Sequence, residues 1–377
     1  MVSPPSTQDV LDALRPIIDP DFHKSIVDLG FIKNLKIDGS RVGFDIELTT
    51  PACPVKAEFE NAARERVLAL PGVEEVAVEM TALTRGRTPR PGTPQADILP
   101  GVKNTIAVAS GKGGVGKSTV AINLAVSLAA AGARVGVMDA DVYGPSLPLL
   151  TGATGRPRVV ERPGGPGEEP KKGIIPLEAL GLKLMSMGFF ISDDSPVIWR
   201  GPMVHGLIRQ FLTDVEWGEL DYLIVDMPPG TGDAALTLTQ QAPLSGAVIV
   251  TTANDLSLVD ARKGLAMFQK VNVPVLGIVE NMSFFTPPDL PDRKYYLFGE
   301  GGGRRVASEL GIDFLVEIPL DPRIVEGGDQ GRPIVLHAPD APASTAFSEL
   351  TGTIARKLAL LAEEAPPLAD ANITWVN

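Results

Sequence analysis

Sulfur and imidazole are scarce in this chain. Its 377 residues include one cysteine, Cys53, and three widely spaced histidines, His23, His205 and His337. A single thiol excludes an internal disulfide and fits a reducing compartment. It also excludes a four-thiolate or mixed Cys/His metal site built in the usual way within one chain. Long apolar runs are missing as well: no stretch approaches the roughly 18 to 20 residues that a membrane-spanning helix needs. The opening MVSPPSTQDV has neither a basic leader nor an apolar core, so no secretory signal is read there. Positive charge is in deficit, 34 Lys and Arg against 46 Asp and Glu for a formal net charge of −12. That argues against a broad nucleic-acid surface, which rests on clustered cations. The expectation is a soluble, cytoplasmic protein with no nucleic-acid or membrane partner.

What is present is alternation. DVLDALRPII reads as a helix with Asp9 as its N-cap, RVGFDIEL as a half-buried strand, PVKAEFENAARERVLAL as a helix and VEEVAVEM as another strand. Residues 1–83 are therefore expected to form a small α/β (α+β) domain. Residues 84–101, rich in Pro, Gly and Arg, read as an exposed linker. From 102 to 364 short apolar runs recur between helix-length stretches: TIAVAS, ARVGVMDA, LKLMSMGF, YLIVDMP, GAVIVTT, VPVLGIVEN and DFLVEIPL. Continuous apolar strands with helical connections indicate a doubly wound, mostly parallel sheet covered on both faces. Residues 153–172 read as a polar, flexible excursion. Phe347, Leu350, Ile354, Leu358 and Leu361 share one face of a closing helix, and 365–377 form a tail.

The stretch SGKGGVGKST carries the chemistry. Gly111 to Ser118 fit G-x-x-x-x-G-K-[ST] directly after an expected strand and directly before an expected helix. Gly113, Gly114 and Gly116 let the backbone turn N–H groups inward, and the helix N-terminus favours anionic oxygens. Lys117 can reach the β- and γ-phosphates, and the Ser118 hydroxyl can ligate Mg²⁺. Gly111, Lys112, Val115 and Thr119 complete the candidate nucleotide-binding set. Asp139 and Asp141 in ARVGVMDADVYGPS, and Asp226 in YLIVDMPPGTGD, fall at strand ends, where ligands meet an open α/β sheet.

Lys112 is a second lysine where a phosphate loop needs one. The form GKGGVGKST resembles the deviant Walker A motif of the MinD/ParA/nitrogenase-iron-protein class of ATPases. That resemblance implies an ATP-sandwiching homodimer in which Lys112 acts on the partner's nucleotide. It also implies that Asp139 and Asp226 hold Mg²⁺ through water, and that Asp141 positions the attacking water. Asn281 of ENM and the segment Pro319-Leu320-Asp321 would lie where adenine is recognised. Longer stretches, among them LPGVKNTIAVASGKGGVGKSTVAINLA, DADVYGPSLP, PVIWRGPM and VENMSFF, resemble the Mrp/ApbC family of iron–sulfur cluster carrier ATPases. The N-terminal module resembles the SufT/PaaD-like domain of iron–sulfur maturation. These resemblances imply iron–sulfur cargo and apo-protein clients. Cys53, in the TPACP loop just before a helix, is the candidate cluster ligand, since a helix N-terminus favours thiolate; a buried, inert cysteine is the alternative.

Trp199 and Arg200 fit either a partner-facing loop or a packed corner, and His205 reads as an ordinary helix residue. The chain also departs from its family. Where many members carry C-x-x-C after ENMS, Thr286, Pro287, Pro288 and Asp289 stand here. A homodimer would own two thiolates, whereas a fully thiolate-ligated [4Fe–4S] cluster takes four. Two readings follow: a dimeric ATPase that binds and transfers clusters, or an ATP-driven scaffold that never holds one. A MinD- or ParA-like positioning role is disfavoured by the acidic, Pro-interrupted end LLAEEAPPLADANITWVN. GTP is disfavoured because no N-K-x-D follows the strands.

Overall fold

The computed structural model describes residues 4–53, 55–84, 86, 98–162, 171–191 and 201–364. Trp199, Arg200, most of the 84–101 segment and the 365–377 tail lie outside the described residues. The chain divides into two compact units, Met1–Arg85 and Gly86–Asn377.

In the first unit, α1 (Thr7–Leu14) begins with a capping box. The Ser6 hydroxyl accepts from Asp9 N at 3.2 Å, and the Asp9 carboxylate accepts from Ser6 N at 2.8 Å. The cap is therefore Ser6, and Asp9, expected as the cap, is its reciprocal partner inside the first turn. Two short strands, β1 (Ile18–Asp19) and β2 (Lys24–Ser25), pair with each other. Then β3 (Ile32–Asp38), β4 (Arg41–Leu48), α2 (Lys56–Leu68) and β5 (Glu75–Ala82) follow, with sheet order β3-β4-β5. The pair β3–β4 is antiparallel and β4–β5 parallel, α2 supplying the connection that parallel strands require. The alternation of RVGFDIEL buries Val42, Phe44, Ile46 and Leu48 against Val10, Leu14, Phe59, Ala63 and Val67.

The second unit is built on eight strands. They are β6 (Val102–Ser110), β7 (Val135–Asp139), β10 (Leu177–Ala179), β11 (Leu182–Ser186), β12 (Leu220–Asp226), β13 (Gly246–Thr251), β14 (Val275–Glu280) and β15 (Phe314–Glu317), after a separate β8 (Arg158–Arg162) and β9 (Lys171–Ile175). The order is β10-β11-β7-β12-β6-β13-β14-β15, parallel except where β10 meets β11. The connections include α3 (Lys117–Ala130), α4 (Leu147–Thr151), α5 (Gly201–Thr213), α6 (Asp233–Gln241), α7 (Asp255–Lys270) and α8 (Gly302–Leu310). The unit closes with α9 (Pro322–Asp329), α10 (Ile334–His337) and α11 (Pro342–Glu364). The expected doubly wound fold and all seven expected strands are borne out. Among the described residues, no helix is long and apolar enough to cross a membrane.

The 153–172 excursion is less irregular than expected. Val159-Val160 within it and Ile174-Ile175 just after it belong to the antiparallel ribbon β8–β9. Ile174 also bridges Val215, donating to Asp214 O and accepting from Glu216 N. Polar composition hid strands too short to show a period.

The helix α3 positions the site. It is buried almost continuously from Val120 to Leu128, so it has no solvent face, as expected of a helix apolar all round. Its N-terminus emerges after β6, between β12 and β13 in the middle of the sheet. Strand order diverges there, which is where open α/β sheets bind ligands.

Candidate nucleotide site

Gly111 to Gly116 link β6 to α3. Gly116 is the helix N-cap at φ +79°, in the left-handed region that suits glycine. Gly111 is required for another reason: a Cβ there would stand 2.1 Å from the backbone carbon of Asp260 in α7. The first turn of α3 leaves N–H groups without helical partners, pointing out of the helix end. Val115 is buried.

Lys117 is buried and donates to the Asp226 carboxylate at 2.5 Å, with the Ser118 hydroxyl 3.3 Å from the same nitrogen. Asp226 ends β12 and is paired in register with Asp139 at the end of β7. Asp139 accepts from the Ser186 hydroxyl at 2.9 Å and from the N–H groups of Asp141, Ser146 and Leu147. Burial, then the neighbouring charge of Asp226, pushes the Asp139 carboxyl up to about 7. Burial raises Asp226 as well, against the pull of Lys117. Two buried carboxylates thus share one lysine, an excess of negative charge that a divalent cation would compensate. In this respect Asp139, Asp226 and Ser118 fit a magnesium ion.

Asp141 is half-buried, its carboxylate accepting from Gly144 N at 3.2 Å. Lys112 is half-buried, and no described acidic side chain pairs with its ammonium. Its carbonyl accepts from the Ser110 hydroxyl at 2.9 Å.

Asn281 follows β14 and is brought beside the phosphate loop, its amide donating to Val115 O at 2.9 Å. The 319–321 segment reaches the same corner: Ser283 N donates to Ile318 O, and Leu320 N to Phe284 O. Asp321 caps α9 and is engaged by both nitrogens of the Arg323 fork. His205 on α5 lies 3.2 Å from the Thr237 hydroxyl of α6, a helix–helix contact. Cys53 belongs to the first unit, half-buried at the margin of its core, three residues before α2. Among the described residues, no group of three or more His, Cys, Asp or Glu gathers as a metal site.

Two participants escaped sequence reasoning. Ser186 holds Asp139 from the neighbouring strand end, and the strand-end hydroxyl in LKLMS was its only signal. Glu280 is fully buried and accepts from the Ser283 hydroxyl and from Gly303 N at the start of α8, both at 2.6 Å.

Residues 101–355 match the family model described as NUBPL iron-transfer P-loop NTPase. The chain belongs to that family. Ahead of this iron-transfer P-loop NTPase region, residues 7–80 match the family of iron-sulfur cluster assembly proteins. An iron-sulfur cluster carrier protein from Synechocystis is 51% identical over 364 residues, 95% of this chain and 99% of that protein. The chloroplastic Fe-S cluster assembly factor HCF101 of Arabidopsis thaliana is 48% identical over 370 residues, 96% of this chain and 66% of that one. Among solved structures, a nucleotide-binding protein from Archaeoglobus fulgidus in complex with ADP is 40% identical. It aligns with a TM-score of 0.55 over 66% of this chain and 93% of its own.

Proposed function

We propose that the chain is an ATP-hydrolysing homodimer that binds iron–sulfur clusters and transfers them to apo-proteins. The observation that carries the nucleotide half is the set of buried Lys117, Asp139 and Asp226, with half-buried Ser118, at the mouth of a glycine loop. The cargo half rests on family membership and on the iron–sulfur names of relatives that align along nearly the whole chain.

In this reading the N–H groups of residues 111 to 119 cradle the phosphates. Lys117 exchanges Asp226 for the β- and γ-phosphate oxygens. Asp226, Asp139 and the Ser118 hydroxyl then face the magnesium position. A bound magnesium ion neutralises charge on the phosphoryl oxygens. Asp141, held by Gly144, orients the attacking water, and Lys112 crosses to the partner's nucleotide. Pro319 and Asp321 border the base. The chain's own contribution is mostly positioning and charge neutralisation, as phosphoryl transfer asks.

Cys53 is the candidate cluster ligand. With two thiolates per dimer, a bound cluster takes its remaining ligands from solvent, oxygen, a small thiol or the client. The second reading, an ATP-driven scaffold, is favoured by one observation. The turn that stands in place of C-x-x-C is Thr286-Pro287-Pro288-Asp289, closed by paired hydrogen bonds between Phe285 and Tyr295.

Anaerobic reconstitution of the full chain with iron and sulfide tests the two. The carrier reading expects about four iron and four labile sulfide per dimer, lost in Cys53→Ser with ATP turnover unchanged. Equal and negligible loading of both proteins would leave only the scaffold.

A further inference from the structure

Asn281 is expected beside adenine, yet one of its two amide N–H donors is committed elsewhere. It donates to the carbonyl of Val115 at 2.9 Å, and Asn281 is 5% exposed. The partner is an acceptor, so the amide must present its NH₂ end to it. Contact continues into the next residue: a Cβ at Gly116 would lie 2.2 Å from the same nitrogen.

The turn carrying this amide is fixed from three sides. Asn281 N donates to Thr251 O at 2.8 Å, and Ser283 N donates to Ile318 O at 3.0 Å. Glu280 ties Ser283 and Gly303 together behind it. Met282 takes φ +54°, a left-handed conformation that a non-glycine residue adopts only where its surroundings insist. So rigid a mount suits a part that holds something else in place.

What it holds is the orientation of one peptide group. A phosphate loop works because its N–H dipoles point inward, which obliges its carbonyls to point out. The Val115 carbonyl belongs to the peptide that enters Gly116, the helix N-cap. Turned inward, it would set a negative dipole against the phosphates. Resting on the proposed nucleotide binding, we propose that Asn281 is a positioning residue for the phosphate chain. It keeps the Val115 carbonyl out of the cradle, whatever base the phosphates carry.

The test is calorimetric binding of Mg²⁺ complexes of ATP, GTP and inorganic tripolyphosphate to the full chain. The variants are Asn281→Ala, Asn281→Asp and, as a control in the same turn, Ser283→Ala. Both Asn281 variants should weaken all three ligands by the same factor, about tenfold to a hundredfold, with binding stoichiometry kept. Ser283→Ala should lower the melting temperature and leave tripolyphosphate affinity within about twofold, because it loosens the mount without freeing the carbonyl. A loss confined to ATP would make Asn281 a reader of the base and overturn the inference; unaltered affinities in both variants would do the same. Failure of the unaltered chain to bind any of the three would overturn the nucleotide reading itself.

Discussion

Lys117→Met is expected to melt the nucleotide-free chain on the order of 10 °C earlier, and adding Asp226→Asn is expected to recover most of that loss. The two side chains are 6% and 4% exposed and 2.5 Å apart. Removing one partner of such a pair strands the other, at a cost of about 3–5 kcal/mol. Asp226 has one escape, which is to take up a proton. Doing so at pH 7, from an ordinary value of 3.8, costs about 4 kcal/mol at roughly 1.4 kcal/mol per pH unit. The two figures agree, so protonation limits the damage without cancelling it. Asparagine at 226 needs no counter-charge, and the double variant therefore loses only the net worth of the pair. Melting curves of the two single variants and the double variant form the cycle. A Lys117→Met protein as stable as the parent, or no rescue in the double variant, would mean that the pair does not bear on the resting state.

The same pair shows how far sequence reading reached. The pattern G-x-x-x-x-G-K-[ST] and three strand-end aspartates were legible because each is local: a loop composition, or an acid closing an apolar run. Apolar runs of six to nine residues marked all seven expected strands of the large sheet for the same reason. What the sequence did not show was who touches whom. Nothing in the spacing of residues 117 and 226 says that they pair when no phosphate is present, or that Ser186 in a neighbouring strand restrains Asp139. The packing of α3 against β12 decides the first and the register between β11 and β7 the second, and both are tertiary properties. Asn281 is a similar case. It was expected where adenine is recognised, but its contact with the phosphate loop depends on a backbone turn that no periodicity encodes. The ribbon β8–β9 and the Ser6 cap were missed for a plainer reason: short elements carry too few residues for a pattern to outweigh composition.

Lys112→Ala and Asp141→Asn are each expected to lower ATP turnover on the order of a thousandfold while leaving nucleotide affinity within a few-fold. Lys112 is half-buried and no acidic partner for it is seen among the described side chains, so in the proposed dimer its charge would be available to the other subunit's phosphates. Asp141 follows β7 by two residues and is held by its own loop, so in the proposed dimer it would serve the nucleotide of its own subunit. That division has a consequence neither single variant can reveal. Mixed in equal amounts, the two inactive proteins would pair at random, giving about half mixed dimers. In each mixed dimer, the subunit lacking Lys112 keeps its own Asp141 and receives lysine from its partner, so one site of two is whole. Mixing should therefore restore about a quarter of the parent turnover. If Lys112 served its own loop, every site in every dimer would lack one group or the other, and mixing would restore nothing. Turnover of the mixture, measured beside each variant alone, separates a lysine acting across a dimer from one acting at home.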